Sequence, residues 1–413
     1  MRGEVGDRGI KVLVVSNLLG GVGVASGVAV GGLLAEQLGG TAVAGFGQAT
    51  SVLGAAVAAV PLATLATARG RRWALALGYL LATVGAALVI AAVVLGQLWL
   101  LLLGLGLFGI SSAANLQSRY AATEHASAAN RGRAMSVVIW ATTIGAVAGP
   151  NLTAPGDRLG MALGLPHLAG PYLFSVVAFA LGAVVVAVLF PRAPADAVER
   201  APTRSGGAIA ALGWAMRHRQ ARFAVALVAC AHAVMIVVMV MTPVHMQHHG
   251  MTLELVGVVI SLHVLGMYAL SPVFGVLVDR RGAVPVAWLG MALLTVALVL
   301  GFLAGAGTGG GVLTAAALTV LGVGWSASLI AGSAHLTAVA ADDVRVPLQG
   351  VTDAGMNYAG AAAAACAGPV LAWGGFGAIN AVGALLLVPA LVCAVVASGT
   401  RPASEAAPDS LVA

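Results

Sequence analysis

Soft metal ligands crowd into one stretch of the chain. Between Ala231 and Gly282 lie His232, His245, His248, His249 and His263, five of the nine histidines, together with six of the twelve methionines. Met235 and Met239 are four residues apart, as are His263 and Met267, and that spacing stacks each pair on one face of a helix. Thioether sulfur and imidazole nitrogen suit Cu(I), whereas hard cations such as Mg²⁺ need oxygen ligands. His232, one turn before Met235, extends the series. His245, Met246, His248 and His249 form a second group at the end of the same apolar run, suited to capturing a metal from outside. A plainer reading stands beside this one: methionine at helical spacing commonly fills gaps in packing, and the histidine group also reads as a polar loop. A histidine inside an apolar run is costly, however, so His263 points to function as ligand, proton carrier or hydrogen-bond partner.

These residues must be held by membrane helices. The chain has 413 residues, 60% of them hydrophobic and 8% charged, with a mean hydropathy of +1.01. That composition is too apolar for water and describes a polytopic membrane protein. Cys230, Cys366 and Cys393 all lie in apolar runs, which argues against a disulfide framework. The N-terminal apolar span lacks a small-residue cleavage pattern and reads as retained. No nucleophile and base pair or phosphate-binding loop is present, so an enzyme is not expected, and no cofactor is implied.

Twelve helices are expected, starting near Lys11, Thr41, Trp73, Leu98, Met135, Pro171, Phe223, Leu255, Val284, Val312, Pro347 and Phe376. The first carries small residues at several four-residue spacings, the pattern of a face that packs closely on another helix. With the N-terminus in the cytoplasm, every Lys and Arg of the 20 except Arg158 falls at a cytoplasmic end or loop. Both termini are then cytoplasmic, in the inner (plasma) membrane. The net charge of +6 reflects this topology; it implies contact with lipid head groups and no nucleic-acid partner.

The polar, Arg-rich stretch 191–222 reads as a linker between an N-terminal six-helix bundle, 1–190, and a C-terminal one, 223–398, with 399–413 as a cytoplasmic tail. Internal repetition supports the division. A-T-L-A-T-A-R-G-R-R (Ala63 to Arg72) follows the second helix and G-V-L-V-D-R-R-G (Gly275 to Gly282) follows the eighth; A-V-A-G-P ends at Pro150 and A-C-A-G-P at Pro369. Paired halves with a site between them are the plan of a secondary transporter. Such a fold is all-α, with twelve transmembrane helices arranged as two pseudo-symmetric bundles, and a monomer is the expected unit.

Six plus six helices with G-x-L-x-D-R-x-G at Gly275, Leu277, Asp279, Arg280 and Gly282 resemble the major facilitator superfamily over nearly the whole chain. The resemblance implies that Asp279 and Arg280 belong to a cytoplasmic gating motif, latched when the protein faces outward. In the first half Ala63 and Thr67 replace the glycine and the acid of that motif. Gly145 to Pro150 resembles the helix-five motif of proton-coupled antiporters. Met235-x-x-x-Met239 followed by His263-x-x-x-Met267 resembles the CcoA-like copper importers, a branch that also includes carriers of organic compounds such as riboflavin.

If the seventh helix runs outward to His245 and the eighth returns from Leu255, Met239 and His263 lie about 10 Å below the outer surface and Met235 and Met267 about 6 Å deeper. Asp353 is the clearest acid inside a span, and a buried carboxylate must be protonated, paired or wet. It is the candidate for proton coupling, with a structural cap or an arginine partner as the alternative. Met356, Asn357 and Asn115 are expected on the cavity wall; Asn17, Gln48, Gln117 and Asn151 supply hydrogen bonds or join helices. Glu36 and Glu254 sit near the outer surface with no role assigned. The leading expectation is a transporter that imports copper. The alternatives are a proton-coupled carrier of a small organic compound, and a membrane metal sensor or assembly factor that does not transport.

Overall fold

Peptide groups that lie in lipid have to be satisfied within the segment that carries them, which leaves helices as the default element. The computed structural model of the protein describes residues 2–125, 140–141, 143–191, 208–307 and 310–398. It runs as α1 (Arg2–Gly39), α2 (Ala44–Arg69), α3 (Arg71–Leu95), α4 (Leu98–His125), a helical stretch over 140–141 and 143–148, α5 (Thr153–Ala162), α6 (Pro171–Leu189), α7 (Ala208–Arg217), α8 (Arg219–His248), α9 (Leu253–Ala269), α10 (Ser271–Arg281), α11 (Ala283–Gly305), α12 (Gly310–Val339) and α13 (Asp342–Ser398). Ten helices among the described residues are long and apolar enough to cross a membrane, α9 and α10 counting as one. The last breaks at Gly374 and Gly375, where φ reaches 66°, so α13 makes two crossings. The fifth of the expected twelve crossings starts outside the described residues. The predicted starts agree with these bounds to within five residues, apart from the first, where α1 begins at Arg2, well before Lys11, and the fifth, at Met135, which lies outside the described residues.

Of the predicted linker, 192–207 lies outside the described residues, as does the tail 399–413. The rest of the linker is not extended chain: it folds as α7, and α8 starts at Arg219, earlier than the expected Phe223. The reason is local. Ala211 and Ala215, four apart, bury against Leu336, Ala340 and Leu348, which turns a polar stretch into a docked amphipathic helix.

The internal repeat is visible in the backbone. Gly70 joins α2 to α3 at φ 89° and ψ 158°, and Gly282 joins α10 to α11 at φ 84° and ψ 163°. That conformation is essentially restricted to glycine, so the two R-G-R-R and D-R-R-G loops make the same turn in both halves. Arginines mark this end of the molecule; Arg72 donates to the Ala187 carbonyl and Gln220 Nε2 donates to the Ala397 carbonyl at 3.0 Å, which gathers the ends of α3, α6, α8 and α13 there. This is the basic end of the molecule, and the opposite one is the far end.

Within the N-terminal half the small-residue stripe of α1 receives aromatic rings. Gly23 faces Phe179, Gly27 faces Phe108 and Tyr172, and Gly20 faces Tyr79 and Asn115; a Cβ on any of these would collide with its neighbour. Phe108 meets Tyr172 and Phe179 edge-on, with centroids 5.6 and 5.3 Å apart. Polar bonds tie the same helices: the Tyr79 hydroxyl lies 2.7 Å from Asn115 Oδ1, and Ser118 Oγ donates to Asn17 Oδ1 at 2.9 Å. The half is therefore a rigid unit.

The two halves meet near the far end. A Cβ added to Gly45 of α2 would run into the Ala364 carbonyl of α13, and one on Gly368 into the Ala42 carbonyl. Gly257 of α9 sits against the Pro150 carbonyl. Replacing Gly45 by Val should prop this seam open. In a reporter protein whose three native cysteines are replaced and which carries Gln48→Cys, the further change Gly45→Val is expected to raise labelling by a membrane-impermeant thiol reagent applied to the far side several-fold; unchanged labelling would show that the seam is not a closure.

Candidate functional site

Several contacts between the halves are made by helix faces that continue toward the basic end. On α9, Ser261 Oγ donates to the Val147 carbonyl at 2.8 Å and lies 2.8 Å from Asn151 Nδ2, which donates to it. On α8, Met239 lines a small cavity with Val28, Ala29, Gly32 and Gln48 of the other half. Two polar links bridge the halves at the rim: a hydrogen bond between His248 Nε2 and Glu36 Oε1 at 2.7 Å, and an ion pair of Arg158 with Glu254 at 3.4 Å. Thr41 Oγ1 also donates to Glu36, at 2.6 Å. Glu36 and Glu254 thus hold the far end together, a role the sequence did not reveal. The second pair is exposed on both sides and contributes little, about 0–1 kcal/mol.

The expected metal residues lie at different interfaces. His263 is fully buried and turned toward α12, its Nδ1 2.8 Å from the Leu318 carbonyl, where Gly322 leaves room for the ring. Its Nε2 is buried without a hydrogen-bond partner. Met267, one turn on, is buried beside Gly322 as well, whereas Met239 faces the N-terminal half and Met235 is buried in the core. The expected capture group is not an open loop either. Met246 is fully buried, His245 stacks on Phe376 with centroids 4.3 Å apart, His249 Nδ1 bonds the His245 carbonyl, and His248 is engaged by Glu36. Among the described residues no group of three or more His, Cys, Asp or Glu side chains is gathered as for a metal ion.

His232 has a different set of neighbours from the expected ladder. The Trp325 indole N–H of α12 donates to His232 Nδ1 at 3.2 Å, and Trp325 meets Tyr268 of α9 edge-on at 6.3 Å. Gly360 of α13 closes against the far edge of the imidazole, where a Cβ would come within 2.8 Å of Cδ2. His232, Tyr268, Trp325 and Gly360 all lie near the middle of their spans. Trp325 and Tyr268 were not singled out from the sequence, although a tryptophan in the middle of a Gly- and Ala-rich span was a signal available there.

Asp353 is exposed, and Met356 and Asn357 are half-buried. Asn115 is buried, with Oδ1 spent on Tyr79, and braces the N-terminal half. Asp279, Arg280 and Gly282 are exposed at the basic end, and nothing lies within 4 Å of a Cβ placed on Gly275 or Gly282. Among the described residues Asp279 and Arg280 have no ion-pair partner. The residues of the expected gating motif are therefore without an ion-pair partner among the described residues while the far end is shut.

Ser261 is the residue on which the polar part of the seam converges. Ser261→Val removes two hydrogen bonds across the seam, a loss of about 1–3 kcal/mol from the closed far end, while Asn151 Nδ2 keeps its bond to the Val147 carbonyl at 3.2 Å. The expected result is at least a fivefold rise in far-side labelling of the Gln48→Cys reporter protein; Ser261→Thr should keep the level seen with Ser261 intact.

A family model described as Major Facilitator Superfamily matches residues 12–262 and 224–412. A relative from Bacillus subtilis (strain 168), described as the uncharacterized MFS-type transporter YdeG, is 36% identical over 395 residues, covering 93% of this chain and 91% of its own. The riboflavin transporter RfnT of Brucella anthropi is 29% identical over 395 residues, covering 93% and 95%. Among solved structures, the nucleoside transporter NupG superposes with a TM-score of 0.73 at 16% identity, over 94% of this chain and 99% of that one. The E. coli fucose:proton symporter FucP gives 0.57, also at 16% identity, over 95% and 98%. The tie to copper importers suggested by the Met and His spacing finds no support in these relatives.

Proposed function

This chain belongs to the Major Facilitator Superfamily, and we propose that it is a secondary transporter of a small organic solute, working by alternating access between its two halves. One observation carries the reading: the halves are sealed at the far end by backbone-close contacts at Gly45, Gly257 and Gly368 while the residues of the expected gating motif at the basic end have no ion-pair partner among the described residues. By the distribution of arginines the basic end is cytoplasmic, so the protein is held open inward. The domain limits follow the same division: 1–190 and 223–398 as the two moving bodies, joined through 191–222, with 399–413 as a tail. Both bodies belong to one chain, so a monomer suffices, in the inner membrane with both termini cytoplasmic.

An organic cargo accounts for the chain better than copper does. A relative matched over nearly its full length is described as a riboflavin transporter, and the Met and His pairs are turned to different neighbours. Copper remains the second reading on a single feature, the buried His263 Nε2 with no partner, one turn from Met267. Proton coupling falls to Asp353. Ala364 of α13 faces the other half at the seam, and Asp353 lies eleven residues before it, within about 20° of the same helix face and about 16 Å nearer the basic end. It then looks into the cleft between the halves, where a carboxylate stays wet in this state and is dried when the cleft closes.

Proteoliposomes decide between the readings. Asp353→Asn should abolish accumulation of the organic solute against its gradient, by at least tenfold, while exchange without a gradient stays within threefold. Equal accumulation by the variant across the pH range would make Asp353 structural. Met235→Leu and Met267→Leu keep side-chain volume at a cost under about 1.5 kcal/mol, so an organic carrier should tolerate both. Copper uptake by the wild type that disappears in these variants would reverse the assignment.

A further inference from the structure

Four residues that touch the opposite half at the seam have a counterpart seven positions nearer the basic end. Seven residues at about 100° each return to within about 20° of the same face and move about 10 Å along the axis. Met239 leads in this way to His232, Ser261 to Tyr268, and Ala364 to Asn357. In the N-terminal half, Val147, whose carbonyl accepts from Ser261, leads to Trp140. The four counterparts therefore share one layer, about 10 Å below the seam, on the faces that look across the cleft. Their exposure agrees: Trp140 is 63% exposed, and His232, Tyr268 and Asn357 are half-buried.

The chemistry of this layer is specific. Trp140 offers an aromatic face from one half and Tyr268 offers another from the opposite half. Trp325, only 6% exposed, serves as the brace behind them, touching both Tyr268 and His232. Because the indole N–H occupies Nδ1, the neutral imidazole carries its proton on Nε2. That N–H is a donor held in one orientation, with Gly360 of α13 beside it, where a Cβ would come within 2.9 Å of Nε2. We propose that Trp140, Tyr268 and His232 form the substrate site, and that the substrate is a planar heteroaromatic molecule. Its ring stacks between Trp140 and Tyr268, and an acceptor on its edge, a carbonyl oxygen or a pyridine-type nitrogen, takes the His232 Nε2–H. Asn357 supplies a second polar contact on the α13 side. Metal ions do not match this layer, since it offers aromatic faces and hydrogen-bonding groups but neither a ring of oxygens nor a set of soft ligands.

The site rests on the organic-solute reading above, and the test separates the two. Full-length protein reconstituted in liposomes is assayed by counterflow and by tryptophan-fluorescence quenching against a planar panel (riboflavin, pyridoxine, adenine, uracil), a non-aromatic panel (ribitol, fucose, a dialanine peptide) and Cu(I). At least one planar compound is expected to bind and exchange. Trp140→Leu, at an exposed position that leaves the core intact, and Tyr268→Leu should each weaken that binding at least tenfold, with Tyr268→Phe within twofold of wild type. His232→Gln, which keeps a donor, should stay within threefold, and His232→Phe should lose about tenfold. If no planar compound binds, or if Trp140→Leu and Tyr268→Leu leave planar binding unchanged, the site is overturned. Exchange of a non-aromatic compound alone would overturn it while leaving the organic carrier standing, and exchange of Cu(I) alone would overturn both.

Discussion

Close approach of helix backbones at the far end is the constraint from which the rest of the molecule follows. Lipid tails are as apolar as leucine, so helices associate through contact and polar bonds, with no hydrophobic drive between them. At Gly45, Gly257 and Gly368 the missing side chains let one half lie directly on carbonyls of the other. Ser261, Asn151, Glu36 and His248 then add directional bonds around those contacts. A seam of this kind is either shut or open, because a carbonyl in van der Waals contact with a Cα has no intermediate position that retains the packing. Two rigid halves meeting along such a seam make a switch.

Rigidity within each half has its own source. In the first, rings from α3, α4 and α6 fill the glycine stripe of α1, and Tyr79, Asn115, Ser118 and Asn17 bond around it. In the second, α12 packs against α9 through Gly322 and Gly266, and against α11 through Gly290 and Gly324. Small residues thus do two jobs here. Inside a half they fix helices permanently, and between halves they make a contact that can be released.

How much of this the sequence disclosed depends on the kind of question. The all-helical membrane class, the arginine-marked end and the internal repeat were legible because they depend on composition and local turn chemistry, and the paired glycine turns at Gly70 and Gly282 bear out the repeat. Side-chain destinations were not. Met235, Met239, His263 and Met267 read as a ladder because spacing fixes which residues share a face, but it does not say what that face meets. His263 turns to α12 because Gly322, nearly sixty residues on, leaves space for its ring, and no local pattern records an absence at that distance. Glu36 and Glu254 were passed over for the same reason, since an acid at a rim becomes a link only when the opposite half supplies His248 or Arg158. Trp325 and Tyr268 lay outside the reading because they belong to no motif; only the fold brings them to His232.

The two ends of the molecule carry unlike chemistry. The far end joins largely neutral surfaces, with glycine faces on carbonyls and few full charges. The basic end carries Arg69, Arg71 and Arg72 on one half and Arg217, Arg219, Arg280 and Arg281 on the other. Bringing those rims together sets like charges near one another, and Asp279 is the acid of the motif on that side, with Thr67 in the matching place of the first half. Repulsion between unit charges at 4 Å is about 1 kcal/mol in water and several times that where water is excluded, so closure of the basic end has a cost that the far end lacks. In the structure the neutral seam is the end that is shut, and the cost of bringing charged rims together falls on the opposite end.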